Sequence, residues 1–448
     1  MALPPGPRIP ALLQTLAFVF VARRWFDWTR RRYGDVVTMS TIFDSKFVMV
    51  FDPDLVKQVF RGPHAQLRAG EANALLGPLL GTRSVLLLDG DEHLRQRKLM
   101  LPPFHGQRLR AYEQTMTEAA DHEVDSWPVG EPFTLLPSMQ SLTLDVIMST
   151  IFGVYEEDRR AELKGRIRAA MDMLGQRTGV VLLVLSGGRL GDRSRMQAFE
   201  ERRRRMDDFI YEEIERRRDA PDLEERDDVF SMLLQARDED GEPMTDQELR
   251  DELVTLLLAG HETTATGLAW TFEMLLRSPR VLERTRAAVA EGDDAYVDAV
   301  VKEALRIRPV IPGVGRVVRG EPFELGRYTI PVGMEINPSI ASIHRRADRY
   351  PAPEDFRPER FLAEDAPDTY TWIPFGGGTR RCLGASFAQT EMRQVVKRVL
   401  ERAELRAADP KPEKVVRRAI TMVPKNGVRI VQSRAPSPAP ERVPAAAA

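Results

Sequence analysis

The chain has 448 residues, a formal net charge of −2 and 43% hydrophobic residues. This composition allows a large buried core and gives no electrostatic reason to expect a nucleic-acid partner. The single cysteine, Cys382, excludes an internal disulfide and is typical of the reducing cytoplasm. Pro- and Gly-rich stretches separate helical patterns without forming a long flexible linker, so we expect one large domain over residues 1–433.

The two ends of the chain differ from this body. Residues 11–21 form a short apolar stretch, whereas a membrane span needs about 20 apolar residues. No basic segment or small-residue cleavage site marks the stretch as a signal peptide. We expect it to dock on the protein itself, with grazing membrane contact as the alternative. Residues 434–448 are rich in Pro and Ala without apolar periodicity, which predicts a disordered tail.

Helical periodicity dominates the sequence between about residues 90 and 310. Alternating apolar segments lie at 36–51, 323–336 and 428–431. This pattern predicts a mainly α-helical fold with small β-sheets. The charge-dense segment 201–218 is typical of a solvated helix face.

One predicted helix, from about Asp246 to Arg277, is long enough to cross a whole domain. Thr245 and Glu248 have the spacing of a capping box at its start. Its middle, 259–267, carries weak helix formers and hydroxyl side chains that bond to the backbone, so we expect a local kink or groove there.

Cys382 follows a glycine-rich loop that begins at Phe375 and precedes an apolar helical stretch that begins at Leu383. A lone cysteine is most often a small buried hydrophobe. Here, the backbone N–H groups of the loop and the positive end of the helix are expected to lower the pKa of the thiol. The resulting thiolate is a good ligand for iron.

The segment 375–384 matches the pattern Phe-x-x-Gly-x-Arg-x-Cys-x-Gly, and it thereby resembles the haem-ligand signature of the cytochrome P450 superfamily. With three further motifs, the resemblance covers the chain from about Leu3 to Val431 and is to the soluble bacterial type. It implies a mainly α cytochrome P450 fold in one domain. It also implies haem b (Fe-protoporphyrin IX) as the cofactor, with Cys382 as its metal ligand. The neighbouring cofactor-binding residues would be Phe375, Gly376 and Gly384.

The middle of the long helix resembles the oxygen-binding segment of the family. Ala259 would leave room for O₂ beside the cofactor, while Glu262 and Thr263 would be the catalytic acid and alcohol. A neighbouring carboxyl and hydroxyl can hold water and relay the protons that cleavage of the O–O bond requires. Thr264 is the alternative to Thr263.

A second motif, at residues 89–97, places His93 and Arg97 one helical turn apart. In the family, the matching residues bind the haem propionates, which need charge-assisted donors. Arg316 and Arg380 resemble the remaining propionate partners. The resemblance therefore makes His93 a propionate donor and no metal ligand.

A third motif pairs Glu303 with Arg306 at i,i+3. Such a pair is usually a surface salt bridge of little energetic value. The segment 353–361, however, resembles the Pro-Glu-Arg-Phe element of the family, whose arginine here is Arg360. The resemblance implies a buried triad with a structural role.

Four segments correspond to the substrate-facing regions of the family: 68–88, 175–190, 309–314 and 419–423. The apolar run 180–185, with Val310, Ile311 and Val314, suits a lipophilic ligand such as a terpenoid, a steroid or a fatty acid, although ordinary core packing explains the run equally well.

The resemblance implies a monooxygenase that uses O₂ and inserts one oxygen atom into the substrate. The chain has no Gly-rich dinucleotide fingerprint, so a separate ferredoxin or flavodoxin would supply electrons. Basic residues expected near the cysteine could steer that acidic partner: Arg95, Lys98, Arg108, Arg110 and Arg381. The alternatives are a peroxide-driven or isomerising haem-thiolate enzyme, and a haem sensor without turnover.

Overall fold

The structure is a computed structural model that describes residues 3–42, 46–154, 159, 162–166 and 193–433. Helices make up most of this part of the chain. In chain order they are α1 (Ala11–Phe20), α2 (Ala22–Tyr33), α3 (Pro53–Arg61), α4 (Ala69–Ala72), α5 (Gly77–Leu80), α6 (Gly90–Met100), α7 (Gln107–Asp125), α8 (Leu135–Thr150), α9 (Arg193–Arg218), α10 (Val229–Gln235), α11 (Asp246–Leu276), α12 (Pro279–Glu291), α13 (Asp294–Ile307), α14 (Ile340–Ile343) and α15 (Ala385–Arg402).

The strands are short and group into small sheets. In chain order they are β1 (Val36–Met39), β2 (Phe47–Val50), β3 (Leu67–Arg68), β4 (Pro132–Thr134), β5 (Arg316–Val318), β6 (Phe323–Leu325), β7 (Tyr328–Ile330), β8 (Glu335–Pro338), β9 (Leu405–Ala407), β10 (Val415–Arg418), β11 (Thr421–Pro424) and β12 (Arg429–Gln432). The largest sheet has the order β1-β2-β8-β5-β3, with β2 and β8 parallel. A second sheet has the order β4-β12-β9, while β6-β7 and β10-β11 are two-stranded. The predicted mainly α fold with small sheets is confirmed.

Helix α11 runs through the centre of the main hydrophobic core. Its predicted capping box is present, since the side chain of Thr245 accepts from the backbone N–H of Glu248 and the carboxylate of Glu248 accepts from that of Thr245. The helix stays α-helical across 259–267. It packs against α8, α13 and α15, so apolar side chains surround most of it, as in a fully interior helix. These contacts fix the position of its central residues.

Helix α9 differs from the solvated helix that the sequence predicts. Arg204 and Arg205 are exposed, but Glu213 and Arg217 are buried near its end. The guanidinium of Arg217 donates to the carboxylate of Asp228 at 2.8 Å, which compensates for its burial. Charge density alone could not reveal this pair.

No helix within the described residues combines the length and the apolarity that a membrane crossing requires. Two sequence predictions fall on residues outside the described part of the chain: the substrate-facing segment 175–190, with its apolar run 180–185, and the tail 434–448.

Candidate active site

The loop before Cys382 is held in a tight conformation that glycine permits. Gly376 and Gly378 have φ angles of +68° and +67°. A Cβ atom on Gly378 would lie 1.9 Å from the carbonyl oxygen of Phe60, so no larger residue fits there. The backbone N–H of Cys382 donates to the carbonyl of Phe375 at 3.0 Å. The loop therefore folds back on itself and presents Cys382 just ahead of α15, whose N-cap is Gly384.

The side chain of Cys382 is accessible but closely surrounded by protein. This burial raises the pKa of the thiol. The backbone N–H of Gly384 and the charges of Arg97 and Arg381 lower that pKa but do not outweigh burial. The predicted lowering of the thiol pKa is therefore wrong for the polypeptide alone. A bound metal cation favours the thiolate directly.

The four predicted propionate donors form one cationic cluster. Burial, followed by the charges of Arg380, Arg97 and Arg316, lowers the pKa of His93 to about 3. Burial is also the main reason why the pKa values of Arg316 and Arg380 fall to about 10. Because each charge disfavours the others, the cluster is electrostatically unfavourable by itself.

Negative charge inside this cluster is scarce. Arg380 pairs with Asp89 at 2.5 Å, the one carboxylate bonded to the cluster within the described residues. Arg316 donates to the carbonyl of Gly315 at 2.7 Å. In the same part of the chain, Arg97 has no hydrogen-bond or ion-pair partner, and the buried Nδ1 atom of His93 has none either. These unsatisfied donors fit a ligand with two carboxylates, as haem has in its propionates.

The middle of α11 presents small side chains to open space. Ala259 is exposed and Thr263, one turn later, is partly exposed, although α11 lies in the core. The hydroxyl of Thr263 donates to the carbonyl of Ala259. Thr264 is only 4% exposed and points elsewhere. Of the two threonines, Thr263 is thus the one that shares a face with Ala259.

The carboxylate of Glu262 is bonded to neighbouring elements and not to the hydroxyl of Thr263. Its Oε2 atom accepts a 2.6 Å hydrogen bond from the side-chain amide of Gln140 on α8. Its Oε1 atom lies 3.4 Å from the guanidinium of Arg418 on β10. Burial raises the pKa of the carboxyl, while Arg418 and Gln140 oppose that rise.

The predicted charge triad is present and buried. Glu303 accepts from the Nε and Nη2 atoms of Arg306 at 2.6 and 2.8 Å, and from the Nε atom of Arg360 at 2.9 Å. The backbone N–H of Arg357 adds a further 2.9 Å bond to the same carboxylate. Every charge of the triad has a partner, as burial requires.

His344 connects this triad to the segment just before the glycine-rich loop of Cys382. Sequence reasoning did not identify this histidine. Its Nδ1–H donates to the carbonyl of Arg306 at 3.1 Å, and its Nε2 accepts from the backbone N–H of Ile373 at 2.9 Å. Burial lowers the pKa of His344 to about 3, which keeps the imidazole neutral and suited to both roles. Its partners are too far away in sequence to be recognised from a local pattern.

Asp89 was also missed as a functional residue. It accepts from the backbone N–H groups of Gly70 and Glu71 at 2.9 and 3.1 Å while it pairs with Arg380. It therefore joins α4, α6 and the cysteine loop. Its position just before α6 is the only local signal, since acidic residues are common at helix N-caps.

The predicted basic patch is smaller than expected. Arg95 forms ion pairs with Asp238 at 2.6 Å and with Glu248 at 2.9 Å, and Lys98 pairs with Glu239 at 2.7 Å. Arg95 in particular is held between two carboxylates and is not available to a partner protein. The other three members of the patch are exposed: Arg108, Arg110 and Arg381.

Comparisons with known proteins show the family to which the chain is similar. The sequence model of the family described as Cytochrome P450 matches residues 4–430. A putative cytochrome P450 135B1 of Mycobacterium bovis is 41% identical over 438 residues, which are 96% of this chain and 91% of the relative. A putative cytochrome P450 137 of Mycobacterium tuberculosis is 40% identical over 400 residues, or 89% of this chain and 83% of the relative.

The fold is similar to that of solved structures. The retinoic acid bound cyanobacterial CYP120A1 superimposes with a TM-score of 0.83 at 23% identity, covering 96% of this chain and 98% of that one. The cytochrome P450DA heme domain has a TM-score of 0.81. The family match over nearly the whole chain, the 41% identity and the shared fold lead to one conclusion: this chain belongs to the cytochrome P450 family of haem-thiolate monooxygenases, oxidoreductases whose iron is held in protoporphyrin IX.

Proposed function

We propose that Cys382 provides the thiolate ligand of the haem and that the chain oxidises a lipophilic small molecule with O₂. The observation that carries the proposal is the pairing of an accessible Cys382 with a buried cationic cluster in which Asp89 is the one bonded carboxylate among the described residues. When bound, the haem iron supplies the activation of O₂. The surrounding protein supplies binding, orientation and protons.

Four residues would bind the propionates: His93, Arg97, Arg316 and Arg380. Arg97, which has no partner within the described residues, is best placed to gain one. Phe375, Gly376 and Gly384 would border the cofactor on the cysteine side. A Cβ atom on Gly376 or Gly384 would meet nothing within 4 Å, so both glycines leave the room that a flat macrocycle needs.

Ala259, Thr263 and Glu262 would serve the opposite side of the cofactor. The short side chain of Ala259 leaves room for O₂, and the hydroxyl of Thr263 can pass a proton to it through water. Glu262 would replenish that proton, because burial raises the pKa of its carboxyl and so favours the protonated form. The bonds from Gln140 and Arg418 mean that Glu262 must change its side-chain conformation to do so.

The substrate would be lipophilic. Partly buried leucines of the predicted substrate-facing segment 68–88 and of α11 pack against the main core: Leu76, Leu86, Leu87, Leu256 and Leu258. Two further segments that the sequence predicts to face the substrate, 309–314 and 419–423, are in direct contact. The backbone N–H of Met422 donates to the carbonyl of Val310 at 2.8 Å. An apolar lining of this kind favours terpenoid, steroid or fatty-acid-like compounds.

Electrons would come from a ferredoxin or flavodoxin that docks near the cysteine loop. The exposed cations Arg108, Arg110 and Arg381 would attract its acidic surface. The single cysteine favours a reducing compartment such as the cytoplasm for this reaction.

Spectroscopy tests the ligand assignment first. Reduced protein with carbon monoxide should show the red-shifted Soret band of a thiolate-ligated haem, and Cys382→Ala should abolish that band. A retained band in Cys382→Ala would overturn the assignment.

The substrate class is tested by screening a lipophilic library for compounds that shift the ferric Soret band. Compounds that bind should raise NADPH and O₂ consumption with surrogate redox partners and yield a product with one added oxygen atom. A thiolate spectrum without coupled oxygenation across the panel would favour a haem sensor. Turnover with hydrogen peroxide alone would favour the peroxide-driven enzyme.

A further inference from the structure

Helix α1 is amphipathic, but its polar side faces the protein and its apolar side faces outwards. Its two polar residues, Gln14 and Thr15, face the protein and are only 3% and 6% exposed. Phe20, in contrast, is 76% exposed. The other exposed side chains of the helix are apolar as well: Leu12, Leu13, Leu16 and Val19. Together with Phe20 they form one stripe, here called the apolar face of α1, since their spacing follows the helical repeat.

Hydrogen bonds hold α1 in this orientation. The side-chain amide of Gln14 donates to the carbonyl of Ile9 at 2.7 Å and to the hydroxyl of Ser40 at 3.0 Å. The backbone N–H of Ser40 donates back to the Oε1 atom of Gln14 at 3.2 Å, and that of Ile42 donates to the hydroxyl of Thr15 at 3.0 Å. Turning the apolar face inwards would break these bonds and expose their buried partners. The outward face is therefore built into the fold.

The region around α1 is strongly basic. Residues 3–42 contain six arginines and two aspartates, whereas the whole chain has a net charge of −2. Arg8 and Arg24 lie on either side of α1, are exposed, and have no ion-pair partner within the described residues. Arg417 of the β10-β11 hairpin lies 4.8 Å above the ring of Phe18. Trp28 adds an exposed indole, a side chain that favours the boundary between lipid and water.

We propose that α1 docks the protein on a membrane surface that contains anionic lipids. The helix would lie in the plane of the interface with its apolar face among the headgroups and upper acyl chains. Arg8 and Arg24 would contact the anionic headgroups. A second copy of the chain is the weaker fit, because a twofold interface through α1 would bring the same arginines face to face. The proposal is independent of the identity of the substrate.

Vesicle binding by the full-length, haem-loaded protein tests the proposal. The protein should co-sediment with vesicles of equal parts phosphatidylglycerol and phosphatidylcholine, and far less with phosphatidylcholine alone. Leu16→Glu combined with Phe20→Glu should weaken binding by about tenfold or more, since it places charge in the apolar face. Arg8→Ser combined with Arg24→Ser should weaken binding to the anionic vesicles only.

The matched control is Val129→Glu combined with Val332→Glu, which adds charge at two exposed apolar residues outside α1 and should bind as the wild type does. The carbon monoxide spectrum of each variant establishes that it is folded. The proposal is overturned if the wild-type protein does not bind, if it binds neutral vesicles equally well, or if the α1 variant keeps its affinity. A concentration-dependent dimer that the α1 variant loses, without vesicle binding, would assign the face to a second copy instead.

Discussion

The guanidinium of Arg418 lies 3.4 Å from the carboxylate of Glu262, so the β10-β11 hairpin contacts the middle of α11 directly. The hairpin also carries Met422, which is bonded to Val310 in another predicted substrate-facing segment. A substrate that displaces the hairpin would therefore change the surroundings of Glu262. Glu262 is thus linked through Arg418 to a hairpin that carries one of the predicted substrate-facing segments.

Replacement of Arg418 should shift the pH dependence of turnover. Burial already raises the pKa of Glu262, and Arg418 holds it down. Arg418→Met should let that pKa rise further, because a nearby cation favours the carboxylate and the variant removes it. The limb of the turnover profile that depends on Glu262 should move to higher pH and disappear in Glu262→Gln. Arg429→Met removes an exposed arginine from a neighbouring strand and should leave the profile unchanged.

Thr263→Ala should separate oxygen consumption from product formation. The haem and its thiolate spectrum should persist, but loss of a proton-relaying hydrogen bond worth about 1.5 kcal/mol should lower product per NADPH by about tenfold, with hydrogen peroxide released instead. Thr264→Ala is the matched control and should stay coupled, since Thr264 does not share the face of Ala259. The opposite pattern would move the role to Thr264. Simultaneous assays of NADPH, hydrogen peroxide and product measure how the electrons divide between peroxide release and product formation.

The triad should govern the yield of folded protein. Glu303→Ala would leave the buried charges of Arg306 and Arg360 without compensation, at a cost of about 3–5 kcal/mol. We expect little haem-loaded protein from this variant, measured by the ratio of Soret to protein absorbance. Glu239→Ala breaks an exposed pair with Lys98 and should cost less than about 1 kcal/mol. Normal haem content in Glu303→Ala would rule out the structural role.

The exposed cations near the cysteine loop should control electron delivery. Arg108→Glu combined with Arg381→Glu should slow reduction of the iron by an acidic ferredoxin by about tenfold at low salt, because steering depends on the sign of surface charge. The difference should shrink as salt is added. Arg31→Glu combined with Arg202→Glu reverses two exposed charges elsewhere and should have little effect. The rate of iron reduction is measured by stopped-flow spectroscopy at several salt concentrations. Equal rates for the two double variants would rule out a docking site at Arg108 and Arg381.

Local patterns allowed much of this structure to be predicted. The capping box of α11 depends on two residues three positions apart, and the charged residues of the triad lie in short motifs that resemble those of the family. Cys382 could be singled out for the same reason, since its glycine loop is contiguous with it. Each of these residues lies in a recognisable motif a few residues long, even where the triad joins motifs that are 57 residues apart.

The surroundings of the site could not be predicted in this way. His344 and Ile373 are 29 residues apart, and Arg418 and Glu262 are 156 apart, so no local spacing links them. The pKa of the Cys382 thiol was predicted with the wrong sign because burial, a tertiary effect, outweighs the nearby N–H group and cations. The prediction that Arg95 belongs to a free basic patch was wrong for a similar reason, because it pairs with Asp238, which is 143 residues away in the sequence.

Glu252 should make stability depend on pH. Its carboxyl is fully buried in α11, where it accepts a 2.7 Å bond from the backbone N–H of Val85, and burial raises its pKa from 4.5 to about 8. Because the folded pKa is the higher one, the neutral carboxyl contributes stability that is complete below pH 4.5 and is lost as the pH rises towards 8. The loss should approach 1.4 kcal/mol per pH unit in that window. The side chain of Glu252→Gln stays neutral, so the urea concentration at the midpoint of unfolding should vary less between pH 5 and about 9 in this variant. Glu239→Gln is an exposed control and should follow the wild type. A wild-type protein whose unfolding free energy is flat over this range, or a Glu252→Gln variant with the same slope, would show that Glu252 is ionised in the folded state.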